Sequence, residues 1–349
     1  MTRIEYLIYF SQEHKVLPLL EIESCLKTEG IDYEFKEIKK SLCIISSKFD
    51  ICKKIAKRLA FSFNCGLFLF KTSSDIKAIE KEIKNIDNYF IKNLKNKSFR
   101  VKIKNLISRN KFSESYEREV GKIIKDLVKN AGKVDLKKPD IEFLGLILND
   151  DFYFTHKYTD TSRNQILSRS LKDRPFIHPS AINQLLAHVM INLSQANEKS
   201  LLLDPFCGTG TFLIEAHYLN IKTIGIDIDK NMIKGSLINL KYHKIYNSHL
   251  IQGDIKNLMF SINKINSIVS DPPYGRSSST HKKTLVQLIN NFFQNSLDLL
   301  KRNGYICIAL PEQIDIKDYA DANRLEIKQD IKFYVHKSLT RKILVLKRK

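Results

Sequence analysis

The sequence contains no tryptophan, and glycine and proline are scarce, with 12 and 8 residues among 349. So small a share of glycine and proline excludes a collagen-like or low-complexity chain. Because 43% of the residues are hydrophobic, the chain has enough apolar side chains to bury a core. A length of 349 residues predicts two or three folded units.

Long apolar runs and paired cysteines are also missing. No run approaches the roughly 18 apolar residues that a membrane-spanning helix requires. The first 20 residues lack the basic region and continuous apolar run of a secretory signal. The six cysteines form no CxxC pair and no Cys/His spacing typical of zinc ligands. We therefore expect a soluble, cytoplasmic protein with reduced thiols, no disulfide, no bound metal and no membrane partner.

Acidic residues are the scarcer charge, since 38 Asp and Glu face 58 Lys and Arg, giving a formal net charge of +20. Such an excess attracts polyanions such as nucleic acid. Residues 92–112 contain no acid, and within 99–104 apolar side chains alternate with basic ones. This pattern predicts a strand with one cationic face, which is interpreted either as an RNA-binding surface or as an edge strand that lysines protect from aggregation. The basic residues concerned are Arg100, Lys102 and Lys104.

The second half of the chain alternates short apolar runs with helical patterns. The runs lie at residues 200–203, 223–226, 249–251, 265–270 and 305–310. Each run is typical of a strand buried on both faces, and the alternation indicates an α/β fold with a doubly wound, mostly parallel sheet. Ligands bind at the carboxyl ends of strands in such sheets. The first half reads as an α+β unit of short strands and amphipathic helices.

A glycine turn follows the first of these runs and leads into a predicted helix. Glycine lets the backbone bend sharply and approach a ligand closely. A dinucleotide loop requires a small residue where Leu213 stands, and a Walker A loop requires a Gly-Lys-Ser/Thr ending that is absent. S-adenosylmethionine (SAM) has no phosphate, and its cationic amino-acid end suits an acidic residue beside the loop. The predicted cofactor residues here are Asp204, Pro205, Gly208, Thr209 and Gly210.

Two further acidic residues follow the next two runs. Asp227 can accept hydrogen bonds from both ribose hydroxyls of SAM, and Asp254 can accept one from the adenine amino group. Their neighbours Ile228 and Ile255 complete the predicted cofactor site. Three acidic strand ends in register favour SAM over the other ligands, whereas Asp229 is predicted to cap a helix.

The motif Asp271-Pro272-Pro273-Tyr274 follows the fourth run. The two prolines fix the backbone, so the Asp271 carboxylate and the Pro272 carbonyl can act as rigid acceptors at one site. Acceptors that hold the hydrogens of an aromatic amine turn its lone pair toward an electrophile, and Asp271 can receive the released proton. Tyr274 can stack on a flipped base, and Pro273 is assigned to substrate binding. The alternative is a Pro-Pro turn capped by Asp. Methylation at carbon 5 would require a nearby cysteine, which is missing.

Together these residues resemble amino-methyltransferases with a (D/N/S)PP(Y/F/W) signature. More narrowly, the chain resembles the archaeal tRNA guanosine-N2 methyltransferases that act on nucleoside 10. In the first half, FRVKIKN, YEREVG and KVDLKKPDIEF resemble a THUMP domain, an RNA-binding module of tRNA-modifying enzymes. In the second half the resemblance rests on RPFIHP, DPFCGTGTFLIEA, DPPYGRSSS and YVHKSLTR.

The resemblance implies SAM as cofactor and tRNA as partner. It implies that Pro175 and His178 lie beside the methionine end of SAM, that Arg276 contacts a phosphate, and that THUMP holds the acceptor end of tRNA. It leaves open a small activating protein subunit, which the eukaryotic relatives use. The implied layout is a ferredoxin-like piece at 1–50, THUMP at 51–155, a linker at 156–173 and the methyltransferase domain at 174–349.

The main hypothesis is a tRNA methyltransferase that adds one or two methyl groups to N2 of guanosine 10. A second hypothesis is methylation of another tRNA guanosine, such as nucleoside 6, or of adenine N6 in RNA or DNA. The choice between these rests on the resemblance, since the acceptor pair suits either base. A third hypothesis is a non-enzymatic RNA-binding protein with a vestigial methyltransferase fold. The intact acidic positions argue against it, namely Asp204, Asp227, Asp254 and Asp271.

Overall fold

The computed structural model describes residues 2–86, 94–107, 113–127, 133–255, 264–273, 282–322, 324–336 and 339–349. Its strands are β1 (Ile4–Phe10), β2 (Tyr33–Ile38), β3 (Leu42–Ser47), β4 (Ser62–Ser73), β5 (Phe99–Asn105), β6 (Ile141–Leu148), β7 (Asp151–Asp160), β8 (Leu201–Asp204), β9 (Lys222–Asp227), β10 (Ser248–Gln252), β11 (Ile265–Ser270), β12 (Leu300–Pro311), β13 (Leu325–His336) and β14 (Leu339–Arg348). Its helices are α1 (Leu17–Thr28), α2 (Ile51–Ile55), α3 (Ile76–Lys84), α4 (Ser113–Leu127), α5 (Arg163–Leu167), α6 (Gln184–Leu193), α7 (Thr211–His217), α8 (Lys230–Tyr242), α9 (Lys282–Leu299) and α10 (Lys317–Ala322).

The first seven strands form one sheet in the order β2-β3-β1-β4-β7-β6-β5. Neighbouring strands are antiparallel except for β5 and β6, which are parallel. Because β1 pairs with β4, the segments expected as a ferredoxin-like piece and as THUMP share this sheet. The alternation predicted for 99–104 is confirmed, since the apolar side chains of β5 are buried and Lys102 is exposed.

The other seven strands form a second sheet in the order β10-β9-β8-β11-β12-β14-β13. The first five are parallel, and β14 is antiparallel to both of its neighbours. Apolar side chains pack on both faces: Val269 meets helices α6 and α7, and the adjacent Ile268 meets α9. This arrangement confirms the predicted doubly wound, mostly parallel sheet.

The chain divides into two compact units that are not continuous in sequence. The first comprises Met1–Gln12, Ile31–Ala56 and Ser62–Thr161, and the second comprises Glu13–Gly30, Lys57–Phe61 and Ser162–Lys349. Helix α1 therefore belongs to the unit with the parallel sheet. Its buried Glu21 accepts hydrogen bonds from the backbone N–H groups of Ala60 and Phe61 and from the side chain of Asn192.

Residues 156–173, expected as a linker, instead contain the end of β7, helix α5 and a 3-10 turn at Leu171–Asp173. Ser162 and Arg163 are buried here. Arg163 donates a hydrogen bond of 3.2 Å to the carbonyl of Ala60 and also pairs with Glu13. A polar side chain from the expected linker thus forms a hydrogen bond and an ion pair with other parts of the second unit.

The expectation of no disulfide is wrong for one pair of cysteines. Cys52 in α2 and Cys65 in β4 are disulfide-bonded, with their Cα atoms 5.4 Å apart. This pair was not predictable from the spacing of the cysteines, because the fold brings together two residues that are 13 positions apart in sequence. In the ranges described above, no helix is both long and apolar enough to cross a membrane. The free cysteines are all buried, namely Cys25, Cys43, Cys207 and Cys307.

Candidate active site

The predicted acidic residues meet the same edge of the parallel sheet. Strands β8 and β9 end at Asp204 and Asp227, and Asp271 directly follows the last residue of β11. Asp254 lies two residues beyond the end of β10. Because β10, β9, β8 and β11 are parallel neighbours, their carboxyl ends form one edge.

Asp204 is the most buried of these acids, with 1% of its surface exposed. One carboxylate oxygen accepts hydrogen bonds from the Ser270 hydroxyl at 2.6 Å and from the backbone N–H of Phe206 at 3.2 Å. The other oxygen, Oδ2, is buried without a hydrogen-bond partner. Burial raises the pKa of Asp204 to about 7, and the charges of Asp227 and Asp271 add to the rise. A buried oxygen in this state is costly, so the site favours a cationic ligand.

Asp227 connects the second strand to the glycine turn. Its carboxylate accepts hydrogen bonds from the backbone N–H groups of Gly208 and Asp229, each at 2.9 Å. Burial raises the pKa of Asp227, and the hydrogen bonds from the backbone N–H groups of Asp229 and Gly208 oppose that rise. The predicted cap is confirmed, because Asp229 accepts a 2.7 Å hydrogen bond from the backbone of Asn231 at the start of α8.

The glycine turn requires its two glycines for different reasons. Gly208 and Gly210 have φ angles of 49° and 83°, in the left-handed region. A Cβ at Gly210 would lie 2.4 Å from the Ser236 hydroxyl, whereas a Cβ at Gly208 would point into open space. That open space is where a ligand can approach the backbone. Pro205 and Thr209, which stand in the same loop, are buried.

On the side predicted for adenine, Asp254 is half-buried and Ile228 is 69% exposed. Ile255 is only 3% exposed and packs in the core with Leu203 and Ile226. Ile228 thus offers an apolar surface to a flat ring, while the Ile255 side chain supports the edge from within.

The RPFIHP segment is joined to the glycine turn by Asn239 of α8, which is fully buried. The Asn239 side chain accepts from the backbone N–H of Phe176 at 3.0 Å and donates to the Phe176 carbonyl at 2.9 Å. It also donates to the carbonyl of Thr209 at 3.0 Å. In the same segment Pro175 is exposed and His178 is half-buried. The structure therefore holds this segment beside the glycine turn, and the position of Pro175 and His178 beside the methionine end of SAM stays a prediction.

Arg174, which begins that segment, is buried and donates a 2.8 Å hydrogen bond to the Thr211 hydroxyl. Its Nε and Nη2 atoms are buried without partners, and desolvation lowers the pKa of Arg174 to about 10. The Thr211 side chain therefore ties α7 to the segment.

Asp271 of the predicted reaction motif forms an ion pair with an arginine that is far from it in sequence. Its Oδ2 lies 2.9 Å from Nη2 of Arg341 in β14, and the two side chains are 10% and 12% exposed. Pro272 is buried and Pro273 is exposed. Two predicted site residues lie outside the described residues, namely Tyr274 and Arg276.

The predicted RNA-binding strand is partly neutralised within the first unit. Arg100 pairs with Glu142 at 2.7 Å and donates to the carbonyl of Leu136 at 2.9 Å. Lys104 lies over the rings of Tyr9 and Phe63.

Burial and the charges of Lys102 and Lys157 lower the pKa of Lys104. Of the three predicted basic contacts, Lys102 presents an exposed side chain. It is therefore the best placed of the three to meet a polyanion.

Sequence interpretation missed four residues that organise this site. Two of them stand in the stretches that carry the family resemblance, so the charge inside those stretches was an available signal. The other two are short polar side chains within a helix and a strand, where no pattern sets them apart. The first two are Arg174 and Arg341, and the other two are Asn239 and Ser270.

Comparison with known proteins identifies the family of this chain. A family model for an RMKL-like methyltransferase domain matches residues 172–343. A model for a DNA methylase matches residues 31–239, which end before Asp271. The tRNA (guanine(10)-N2)-dimethyltransferase of Methanothermobacter thermautotrophicus is 33% identical, over 99% of this chain and 100% of that protein. The chain belongs to this family. The sequence similarity to this relative covers 99% of the chain and therefore spans both compact units.

Solved structures agree on the fold of this family member. TrmN from Thermus thermophilus has a TM-score of 0.55 and 17% identity, covering 99% of this chain and 100% of that one. SMU.472 complexed with SAH has a TM-score of 0.55 and 15% identity, covering 100% and 99%. The fold is that of Rossmann-like methyltransferases. Among the described side chains, no group of three or more His, Cys, Asp and Glu is arranged to hold a metal ion.

Proposed function

We propose that this chain transfers methyl groups from SAM to the exocyclic N2 of guanosine 10 in tRNA. The observation that carries the proposal is the convergence of Asp271 with Asp204 and Asp227 at one sheet edge. A relative that matches over its full length is named for this reaction. One or two methyl groups per guanosine are both compatible with this site.

The residues present fit SAM. The unpartnered Oδ2 of buried Asp204 suits the positively charged amino group at the methionine end. The half-buried carboxylate of Asp227 suits the ribose hydroxyls, and Asp254 with exposed Ile228 suits the adenine. The open space at Gly208 allows the ligand to approach the backbone. SAH binding by the structural neighbour SMU.472 supports the same ligand class.

When bound, SAM supplies a methyl group on a positively charged sulfur, an electrophile that needs no metal. Asp271 and the Pro272 carbonyl are proposed to accept the hydrogens of the guanine amino group and turn its lone pair toward that carbon. Bound SAM would supply the methyl carbon for the new N–C bond, and its sulfur would keep the electron pair of the broken S–C bond. The amine proton passes to the Asp271 carboxylate and then to solvent.

The first unit is proposed to bind tRNA through a THUMP-like surface that includes the exposed Lys102. The net charge of +20 supports a polyanionic partner. The alternatives remain another guanosine, such as nucleoside 6, and adenine N6. The match of residues 31–239 to a DNA methylase family is the observation that supports adenine as the alternative substrate.

The test is methylation of tRNA transcripts with labelled SAM, followed by nucleoside analysis and mapping of the modified position. A transcript with adenosine in place of guanosine 10 is the matched control. We expect N2-methylguanosine or N2,N2-dimethylguanosine at position 10 and no label in the control. Label in N6-methyladenosine, or at another guanosine, would overturn the substrate assignment. No transfer to any RNA or DNA, despite SAM binding, would favour the non-enzymatic hypothesis.

A further inference from the structure

Arg341 and Asp271 are far apart in sequence but meet at the carboxyl edge of the second sheet. Arg341 stands opposite Pro311 at the end of β12, and Ser270, the residue before Asp271, stands opposite Ile308 of the same strand. The two residues therefore lie on either side of β12. Two strand spacings are about 10 Å, a distance that the two side chains bridge together, with Nη2 of Arg341 2.9 Å from Oδ2 of Asp271.

The pair is largely removed from water, because the two side chains are only 12% and 10% exposed. Attraction between such charges is stronger than in a surface pair, and removing one partner leaves a costly buried charge. Asp271 also lies close enough to Asp204 for their negative charges to repel, since the charge of Asp271 contributes to the raised pKa of Asp204. Arg341 offsets this repulsion where the carboxylate must stay negatively charged.

We propose that Arg341 is a positioning residue for methyl transfer, holding the Asp271 carboxylate in one orientation and in its charged form. The inference rests on the proposed function, since it assigns Arg341 to the same reaction. A guanidinium has only hydrogen-bond donors and stays protonated. Arg341 therefore takes no proton from the substrate, and the bonds that form and break are those given above.

Two other roles for a buried arginine at this edge make different kinetic predictions. A contact with an RNA phosphate would raise the KM for tRNA and reduce the salt dependence of binding. A purely structural role in the β13–β14 hairpin would lower the melting temperature and weaken SAM binding and turnover together. Positioning of Asp271 predicts a lower kcat with the Kd for SAM and the KM for tRNA nearly unchanged.

The experiment compares Arg341→Gln and Arg341→Lys with the control Lys342→Gln. Lys342 is the next residue of the same strand, is 15% exposed and lies 3.5 Å from Asp330, so the control also removes a paired cation. We expect Arg341→Gln to lower kcat about 100-fold, the cost of a misplaced catalytic group. Arg341→Lys should recover about tenfold of that loss, because it restores the charge without the guanidinium geometry. The control should stay within about twofold of the unmodified chain, because its partner Asp330 is 44% exposed and water can solvate it once the lysine is removed.

The double variant Asp271→Asn/Arg341→Gln keeps the test decisive if Arg341→Gln alone does not fold, because it leaves no unpaired charge. Its kcat should equal that of Asp271→Asn within about threefold, since both changes act through one group. A further large drop, or a kcat for Arg341→Gln near that of the unmodified chain, would overturn the proposal. All rates are measured on bulk tRNA. A methyl group at another nucleoside would thus refute the guanosine 10 assignment without affecting the result for Arg341.

Discussion

Charged side chains are treated differently in the two sheets. In the first sheet, acids and bases neutralise each other: Lys71 lies 3.0 Å from both Glu37 and Asp151, and Lys157 lies 2.8 Å from Asp160. At the carboxyl edge of the second sheet, Asp204 keeps a buried oxygen without a partner. In the part of the chain that the structure describes, no carboxylate of the first sheet has such an oxygen.

This difference shows that net charge is a weak guide to the position of the site. Some of the basic residues that give the chain its excess charge form ion pairs within the first sheet. Arg100, for example, pairs with Glu142. Among the described residues, the one carboxylate oxygen that is buried without a partner instead belongs to Asp204, in the second sheet. A ligand that satisfies Asp204 recovers free energy that folding alone does not.

The largest expected effect is on kcat and comes from replacing Asp271, the proposed catalytic residue at the edge of the second sheet. We expect Asp271→Ala to lower kcat by about 1,000-fold, because an orienting acceptor and proton acceptor are lost together. The Kd for SAM should change little, since the cofactor is assigned to other strands. Single-turnover methyl transfer and calorimetry measure the two quantities.

Asp229→Asn is a suitable control for Asp271→Ala because Asp229 is an acid at the same edge that caps α8. Asparagine is an equally good cap, so kcat and the Kd for SAM should remain normal. Full activity in Asp271→Ala would contradict its catalytic role.

The next effect concerns SAM affinity and its dependence on pH. Asp204 has its pKa raised to about 7, so it is mostly neutral at pH 6 and ionised at pH 8. SAM binding should therefore strengthen as pH rises through 7, because the ionised form attracts the cationic ligand. Asp204→Asn should weaken SAM binding by about tenfold at pH 8, as expected for loss of a charge-assisted hydrogen bond. Its Kd should also vary less with pH, as measured by calorimetry.

The same pKa shift predicts a change in stability of opposite sign. Between the ordinary pKa of 3.8 and about 7, the folded chain retains a proton that the unfolded chain has released. The free energy of unfolding without ligand should therefore fall as pH rises through this window. In the Asp204→Asn variant, the free energy of unfolding should fall less between pH 5 and pH 8. Thermal unfolding at the two pH values measures this difference. An unchanged pH profile would show that Asp204 is not buried as an acid.

A smaller effect is expected at Asn239, which joins the RPFIHP segment to the glycine turn. Asn239→Ala removes three hydrogen bonds to backbone groups. The expected cost is about 2 kcal/mol of stability, because buried backbone groups lose their partners. The KM for SAM should rise more than kcat falls. Asn231→Ala, on the exposed start of the same helix, is the matched control, and an equal rise in KM there would contradict the role of Asn239.

The second sheet could be predicted from sequence because its strands are short apolar runs buried on both faces. Asp204, Asp227 and Asp271 could be placed at one edge because parallel strands share a direction. The pairing of Asp271 with Arg341 was not predictable, since it depends on β14 being antiparallel beside β12.

Other features of the fold depend on packing that carries no local pattern. Helix α1 precedes most of the first sheet in sequence but belongs to the second unit, through contacts of Glu21 with Ala60 and Phe61. Deletion of the first half would therefore also remove part of the catalytic unit's core. Single substitutions are the sounder way to test RNA binding.

The smallest expected effect tests whether the first sheet keeps any charge available for RNA. Lys102→Ala should reduce the slope of log K for tRNA binding against log salt concentration by about one, because one phosphate contact is lost. It should also weaken tRNA binding a few-fold at low salt. Arg100→Ala should instead cost about 1 kcal/mol of stability, because Glu142 loses a partner. Filter binding over a salt series and thermal unfolding separate the two. Arg100→Ala could instead weaken tRNA binding more than Lys102→Ala does at equal stability. A basic residue that is paired within the sheet would then still bind RNA, and the contrast drawn between the two sheets would be wrong.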